Sequence, residues 1–350
     1  MASSESSKYW DVNKTLSHNC LFNFIISARG GGKTYGTLSR VVKNYLNGQR
    51  NGERNEFVYV RRTEEEMRKL CITRGGRLFN AIARDFPEHT LKAEAMTMTC
   101  DKEVFGYAIP LSTAYKSKSD AFPYVDTIIF DEFIAAKRSM YLPDEVTKFL
   151  ELYETVARPG TDHPPVKVFF LGNAITQTNP YFEYFRLERP YQGEFKKFGR
   201  TKDILVQDVS VPILQEDKHK SRFGQLIEGS EYANYAIDNE WLEDRTDFIK
   251  RKNKDCEYRM AIKYNGTWIG VWFDNIEWIY YISMDVNLQD PNKFSATTDD
   301  HQPNLMLIKN AKRMNSFKHL IDAYNVGAIR YESIKLQGWF RDVMRLLCRG

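Results

Sequence analysis

Residues 27–34, with the sequence SARGGGKT, have the residue types and spacing of a phosphate-binding loop. Three consecutive glycines let the backbone curl so that successive N–H groups face one phosphate. Lys33 is then placed to reach the β- and γ-phosphates of a nucleoside triphosphate, and the Thr34 hydroxyl is placed to ligate Mg²⁺. Ser27 stands at the first glycine position of the Walker A pattern, where the residue closes the turn. The predicted nucleotide-binding residues are Arg29, Gly30, Gly31, Gly32, Lys33 and Thr34.

The alternative for this segment is a glycine-rich turn between a strand and a helix, with no ligand. Its surroundings favour the phosphate site, because the buried-strand pattern LFNFIIS precedes it and the helical pattern KTYGTLSRVVKNYL follows it. The amino end of that helix adds a positive dipole at the phosphates.

A second acidic motif agrees with this interpretation. The apolar run TIIF at residues 127–130 ends in Asp131 and Glu132, as a Walker B strand does. Asp131 would hold Mg²⁺ through water, and Glu132 would polarise the water that attacks the γ-phosphate. The alternative is a surface acidic pair at the end of a strand.

Four further positions are candidates for catalysis. Asn173 ends the buried strand pattern VKVFFLGN and would sense the γ-phosphate, unless it only forms a turn with Gly172; Thr176 is a weaker candidate. Arg158, at the end of a predicted helix, is the candidate arginine finger, and Lys118 is the second cation. For both cations the alternative is a solvated surface charge.

Two arginines at the end of the second predicted strand, Arg61 and Arg62, are candidates to lie near the nucleotide or near DNA. Arg29, inside the loop, is a candidate to touch phosphate or a neighbouring subunit.

The elements that position these residues alternate between strand and helix up to about residue 191. Strands are predicted at LFNFIIS, EFVYVRR, VDTIIFDEF and VKVFFLGNAIT, and the amphipathic helix DEVTKFLELYETVAR begins after Asp144 as its predicted N-cap. This alternation predicts a parallel sheet with helices on both faces.

The pattern changes in the second half of the chain. Three strand-like runs follow residue 256, and Asn265-Gly266 between the first two is a strong hairpin signal because both residues tolerate positive φ. The predicted domains are a flexible leader at 1–19, a nucleotide-binding domain at 20–191, a linker or connecting subdomain at 192–230 and a mixed α/β domain at 231–350.

The composition is that of a globular protein of two domains, with 350 residues, 42% hydrophobic residues and a formal net charge of +4. The five cysteines lie too far apart for a local metal or redox motif, which predicts reduced thiols in a cytosolic compartment. No apolar stretch reaches the roughly 18 residues of a membrane span, so no membrane association is expected.

Among P-loop proteins, a GTPase should carry a guanine-reading N-K-x-D motif, which this sequence lacks. The acid after the Walker B aspartate instead favours the ASCE class of helicases, AAA+ machines and packaging motors. Within that class the sequence resembles the DNA-packaging ATPases of phi29-type bacteriophages. The similarity extends in order from about residue 20 to the carboxyl terminus, through NFIISARGGGKTYG, SDAFPYVDTIIFDEFI, LGNAITQTNPYF and IKYNGTWIGVWFD.

The resemblance implies an amino-terminal ASCE ATPase that uses ATP and Mg²⁺, and a carboxyl-terminal domain of RNase H-like fold. It also implies a homo-oligomeric ring, a pentamer, that packages double-stranded DNA at the portal vertex of a prohead together with a structured packaging RNA. Such a motor acts in the host cytoplasm and is not expected in the mature virion. In this family the arginine at the position of Arg158 acts in trans, and the position of Lys118 carries a functional lysine.

A nuclease of that second fold needs clustered carboxylates for two metals, beginning on its first strand. The run YRMAIKY carries none, and Asp274 and Asp285 lie at strand ends, so a catalytically inactive, nucleic-acid-binding domain is expected. Residues 309–350 contain nine lysines and arginines against three acids, which favours contacts to phosphate over a solvated helix face. The candidate nucleic-acid-binding residues are Lys196, Lys197, Arg200, Lys202, Lys312, Arg313 and Lys318. A helicase and a P-loop scaffold with little turnover remain the alternative functions.

Overall fold

The computed structural model describes residues 9–136, 140–158, 165–176, 178–191, 193–239 and 246–348, apart from the side chains of residues 118, 119, 231 and 246. The chain divides into two compact units. One unit comprises residues 1–175 and 179–240, and the other comprises residues 176–178 and 241–350. No helix within the described ranges combines the length and the apolar character needed to cross a membrane.

The first unit is built on a sheet of nine strands with helices around it. The strands are β1 Phe22–Ser27, β2 Glu56–Arg61, β3 Leu91–Glu94, β4 Thr97–Cys100, β5 Glu103–Pro110, β6 Val125–Asp131, β7 Lys167–Asn173, β8 Phe195–Phe198 and β9 Ile204–Val209. The helices are α1 Val12–Leu16, α2 Lys33–Asn51, α3 Glu64–Met67, α4 Glu145–Val156, α5 Pro180–Phe185, α6 Pro212–Lys220, α7 Arg222–Ile227 and α8 Glu231–Ala236.

The strand order is β3-β4-β5-β2-β6-β7-β1-β9-β8. The neighbouring strands β5, β2, β6, β7, β1 and β9 run parallel to one another. The central strands are almost fully buried, because their apolar side chains are covered on both faces. Phe24 of β1 stacks on Phe170 of β7 with ring centroids 4.2 Å apart, in an aromatic core. The predicted parallel sheet of an ASCE-type domain is therefore confirmed.

One strand, β7, separates the strand before the phosphate loop from the strand that ends in the two acids. In the register, Ser27 pairs with Asn173, and Asp131 pairs with Leu171. Because the carboxyl ends of parallel strands meet at one edge of the sheet, the loops that carry the predicted site residues converge there.

The amino-terminal segment differs from the predicted leader. Residues 12–16 form a helix capped by the Asp11 side chain, and Trp10 and Thr15 are buried. Both Trp10 Nε1 and Thr15 Oγ1 donate hydrogen bonds to Gln207 Oε1 of β9. Only residues 1–8 of the predicted leader lie outside the described residues.

The predicted connecting subdomain at 192–230 is also revised. Its apolar run ILVQDV is β9, which pairs in parallel with β1, and β8 pairs antiparallel with β9 at the edge of the same sheet. The polar flanks of this run conceal a buried strand from sequence inspection. Three strands, β3 to β5, precede β6 and were not predicted either.

Asp144 occupies the predicted N-cap position of α4, but it does not cap the helix with its side chain. Asp144 has a left-handed φ of 51° and its side chain makes no capping bond. The neighbouring Glu145 side chain instead accepts a hydrogen bond from Leu142 N at 2.8 Å while it points into the core. Burial of Glu145 therefore decides the backbone at the start of α4.

The second unit contains a six-stranded mixed sheet and three helices among its described residues. Its elements are β10 Glu257–Tyr264, β11 Thr267–Asp274, β12 Ile279–Ser283, β13 Lys293–Ser295, β14 Met306–Leu307, β15 Ile329–Tyr331, α9 Ile308–Ala311, α10 Asn315–Asn325 and α11 Ile334–Cys348. The strand order is β14-β13-β10-β11-β12-β15, with β10, β11 and β12 forming the predicted antiparallel meander. Asn265 and Gly266 both have positive φ in the predicted hairpin turn.

Candidate active site

A cavity of about 910 Å³ lies at the edge of the first sheet where the parallel strands end. The predicted residues that line it are Arg29, Gly30, Gly31, Gly32, Lys33, Thr34, Arg61, Asp131, Glu132 and Asn173. Residues that sequence analysis drew from four separate segments thus meet at one site.

The conformation of the phosphate loop depends on its glycines. Gly30 and Gly32 have φ values of +76° and +85°, which side chains rarely adopt, and a Cβ at Gly31 would lie 2.6 Å from Ser27 Oγ. The loop leads directly into α2, whose first turn has no side-chain cap. The N–H groups of this turn are therefore positioned for an anion such as phosphate.

Lys33 is buried at the base of the loop and joins it to the neighbouring strand. Its Nζ donates hydrogen bonds to Ser27 Oγ at 2.6 Å and to Asn173 Oδ1 at 3.0 Å. Asn173 therefore does more than form a turn, because its amide touches the lysine that would contact the γ-phosphate. Ser27 was expected only to close the turn, but its hydroxyl oxygen also accepts a hydrogen bond from Lys33.

Burial lowers the pKa of Lys33 to about 8, and the nearby Asp131 carboxylate offsets part of this effect. A bound polyphosphate favours the charged ammonium and raises the pKa again. Below pH 8 the lysine already carries its proton before nucleotide binds. Above pH 8 each binding event must take up a proton.

We therefore expect the affinity for ATP to fall as the pH rises above 8, by about tenfold per pH unit at the steepest. Isothermal titration in two buffers of different ionisation enthalpy at pH 8.5 measures the proton uptake directly. In the Lys33→Arg variant the remaining affinity should lose this dependence, because arginine stays charged. Wild-type binding at pH 8.5 without proton uptake would contradict the prediction.

The Mg²⁺ ligands predicted from sequence are adjacent. Thr34 Oγ1 lies 3.2 Å from Asp131 Oδ2, and the same carboxylate oxygen accepts a hydrogen bond from the Tyr59 hydroxyl at 2.8 Å. Burial raises the pKa of Tyr59 well above its ordinary value, so the hydroxyl remains a donor. A hydroxyl and an oriented carboxylate are oxygen ligands of the kind Mg²⁺ takes beside phosphates, so these residues fit the ion.

Glu132 leaves the end of β6 in a strained conformation. Its φ is +58°, a left-handed value that costs a residue with a side chain about 1 kcal/mol or more. Its carboxylate is largely exposed and lies 2.6 Å from Arg61 Nη1, while Arg61 Nη2 lies 3.5 Å from Asp131. Arg61 thus balances the charge of both acids and holds the Glu132 side chain at the cavity.

Arg62, which follows Arg61 in the chain, supports the backbone of Glu132. Arg62 is buried and forms a two-pronged ion pair with Glu145, with distances of 2.8 and 3.0 Å. Its guanidinium also donates to the carbonyls of Glu132 at 3.3 Å and Phe133 at 2.8 Å. The start of α4 is therefore tied to the turn that carries the candidate catalytic acid.

Replacement of Arg62 by methionine should lower the free energy of unfolding by about 3–5 kcal/mol, because Glu145 would remain buried without its cation. The double variant Arg62→Met, Glu145→Leu should recover much of the loss, since no buried charge remains. Urea denaturation of the single and double variants measures the difference. A single variant as stable as the wild type would contradict the prediction.

Several predicted residues are not part of this cavity. Arg158 lies just beyond α4, is exposed and is not among the lining residues. The side chain of Lys118 falls outside the described residues. Thr176 Oγ1 accepts a hydrogen bond from Thr178 N and belongs to the second unit.

The candidate nucleic-acid-binding residues lie on two exposed regions. Lys196 pairs with Glu188, and Lys197 donates to the carbonyl of His18, so both have roles within the first unit. The others are exposed or half-buried at the following positions: Arg200 and Lys202 between β8 and β9, and Lys312, Arg313 and Lys318 around α9 and α10.

The carboxylates of the second unit have structural partners. β10 begins at Glu257, one residue before the predicted run, and this exposed acid pairs with Arg259. Asp274 accepts hydrogen bonds from two backbone N–H groups of the following turn, as expected, and Asp285 pairs with Lys252.

Two contacts of the loop were missed by sequence analysis. Lys218 of α6 donates hydrogen bonds to the carbonyls of Arg29 and Ala236, and the Arg29 side chain lies 5.9 Å from the ring of Tyr235. No local signal marks Lys218, because 189 residues separate it from Arg29. Tyr59, whose hydroxyl donates to Asp131, also has no sequence signal of its role, since the pattern of its strand predicts only that it is buried.

The comparisons with known proteins agree with this geometry. Residues 4–347 match the family model described as Podovirus DNA encapsidation protein (Gp16). The DNA packaging protein of Bacillus phage B103 is 35% identical over 319 residues, which is 91% of this chain and 94% of that protein.

Two solved structures of phage phi29 are also similar. The viral genome packaging motor assembly matches with a TM-score of 0.73 and 32% identity, covering 97% of this chain and all of that one. The amino-terminal domain of the phi29 DNA packaging ATPase matches with a TM-score of 0.50 and 35% identity, covering 57% of this chain and 96% of that one. The chain therefore belongs to the podovirus DNA encapsidation protein family.

Proposed function

We propose that this protein binds ATP and Mg²⁺ at the cavity of the first unit and uses ATP hydrolysis to move double-stranded DNA into a prohead. The observation that carries the proposal is the contact of Lys33 with Asn173 and of Thr34 with Asp131, beside Glu132, at the ends of three neighbouring strands. Family membership supports DNA packaging as the process that this ATPase drives.

Each residue of the site has a separate role in ATP hydrolysis. The loop N–H groups and Lys33 hold the β- and γ-phosphates, which places the reacting phosphorus in a fixed position. Thr34 and Asp131 would hold Mg²⁺, which neutralises charge on the phosphate oxygens when bound. Glu132 orients the attacking water and accepts its proton, and Asn173 contacts both Lys33 and the space for the γ-phosphate.

Three arginines line the cavity from its own chain: Arg29 and Arg61 have partners within the first unit, and Arg84 is an exposed residue next to Asp85. Arg158 is exposed just beyond α4, outside the cavity of its own chain. A ring, a pentamer as the resemblance implies, would place Arg158 of one subunit at the next subunit's γ-phosphate. Lys118 is the second candidate for a contact in trans.

The remaining proposals concern partners. A DNA translocase must grip phosphates of any sequence, and the exposed basic residues Arg200 and Lys202, between β8 and β9, and Arg313 and Lys318, around α10, suit such contacts. The portal of a prohead and a structured packaging RNA are the proposed assembly partners in the host cytoplasm, and the mature virion would lack the protein.

The second unit is proposed to bind nucleic acid without cutting it. Asp274 and Asp285 each have a structural partner, and Glu257 stands exposed at the start of β10. Plasmid cleavage in Mn²⁺ that disappears in Asp285→Ala would overturn this proposal.

The motor is tested by measuring ATP hydrolysis by the assembled ring with and without double-stranded DNA. Turnover stimulated by blunt duplex DNA, without unwinding of a forked substrate, is the expected result. Strand separation of the fork would instead identify a helicase. Absence of DNA-stimulated turnover in every oligomeric form would identify a scaffold.

A further inference from the structure

Two tyrosines lie next to each other at the cavity. Tyr9 and Tyr35 both line it, with 47% and 39% of their surfaces exposed. Their ring centroids lie 6.5 Å apart at an interplanar angle of 35°. The pair therefore presents exposed aromatic surface beside the phosphate loop.

Tyr9 is held at this place by the residue that follows it. The backbone N–H of Trp10 donates to the carbonyl of Gly31 at 3.1 Å, and Trp10 Nε1 donates to Gln207 at 3.0 Å. Tyr9 consequently packs on the loop. A Cβ added to Gly32 would lie only 3.0 Å from the Cβ of Tyr9. The segment predicted to be a leader is therefore fastened to the phosphate loop.

Tyr35 is positioned by the first turn of α2. It follows Thr34 in the first turn of α2, and its hydroxyl donates a hydrogen bond to the carboxylate of Asp85. This bond orients the ring, and Leu70 and Leu78 add apolar surface to the same cavity. The cavity thus combines polar groups suited to phosphates with aromatic and apolar groups suited to a base.

We propose that Tyr9 and Tyr35 form the base-binding part of the nucleotide site and that their rings pack against the purine of ATP. The inference rests on the proposed ATPase site, and it adds two specificity-determining side chains. Stacking on an aromatic ring is insensitive to the phosphates, so it contributes only to ligands that carry a base. The amino-terminal segment is then a structural part of the site.

The test compares binding of a non-hydrolysable ATP analogue with binding of inorganic tripolyphosphate to the full-length protein. Tyr9→Ala and Tyr35→Ala should each weaken analogue binding by about tenfold. Their affinity for tripolyphosphate should equal that of the wild type. Tyr9→Phe should bind the analogue normally, because the ring remains, and Tyr184→Ala, an exposed tyrosine on α5, is the matched control.

Equal losses for the analogue and for tripolyphosphate would overturn the inference, because they would place the effect in the phosphate loop. Unchanged analogue binding in both alanine variants would overturn it as well. Wild-type protein that binds tripolyphosphate as tightly as the analogue would reject base stacking while leaving the phosphate site intact. If the wild type bound neither ligand, the proposed ATPase itself would fail.

Discussion

Replacement of Glu132 by glutamine is expected to lower the turnover of ATP by the DNA-stimulated ring by about 10²–10⁴-fold, the contribution of a positioned general base. Glutamine has nearly the same shape, but it cannot accept a proton from the attacking water. Nucleotide binding should persist, because the loop, Lys33 and Asp131 are unchanged.

The fold should tolerate this change. Arg61 would lose its 2.6 Å ion pair with Glu132, but it retains Tyr59 and Asp131 as neighbours. Single-turnover hydrolysis, analogue binding and the thermal midpoint therefore separate chemistry from folding. Glu154→Gln, an exposed acid on α4, serves as the control. A Glu132→Gln ring with more than half of wild-type turnover would remove Glu132 from the reaction.

Replacement of Arg158 by alanine is expected to lower ring turnover by about 10³-fold or more, as loss of an arginine finger does. ATP binding to separated subunits should be unaffected, because Arg158 does not line the cavity of its own chain. Arg158→Lys should restore little activity, because an ammonium cannot make the two parallel contacts of a guanidinium. Arg50→Ala, at an exposed position near the end of α2, is the matched control.

A mixing experiment tests whether Arg158 acts between subunits. Glu132→Gln subunits keep the arginine and lack the base, whereas Arg158→Ala subunits keep the base and lack the arginine. Mixed rings contain neighbours that together complete a site, so activity should reappear on mixing. Mixtures as inactive as either variant alone would show that the arginine does not complement a neighbour's site.

The strongest sequence signals are those in which chemistry and backbone lie side by side. The run from Gly30 to Thr34 carries its own turn geometry, its lysine and its hydroxyl, so the phosphate site can be predicted without knowing the sheet. Asp131 and Glu132 can be predicted for the same reason, because they directly follow the apolar run of the strand that positions them. The Asn265-Gly266 turn likewise specifies a hairpin locally through positive φ.

Misassignments occur where burial overrides local preference. Asp144 stands at the N-cap position of α4 but makes no capping bond, and the side chain of the buried Glu145 accepts the hydrogen bond from Leu142 N instead. The run ILVQDV is short and has polar flanks, so only its pairing with β1 identifies it as a core strand. The segment around Trp10 resembles a polar leader until the indole is seen to be buried against β9.

The phosphate loop, the acidic strand end, the α/β fold class and the family can all be inferred from the sequence, because each depends on neighbouring residues or on an ordered set of motifs. The folded structure is needed to show which distant side chains complete the site. Asn173 reaches Lys33 across 140 positions of the chain, and Tyr9 reaches the loop through Trp10. Such contacts depend on strand order and packing, and no local pattern of residues encodes them.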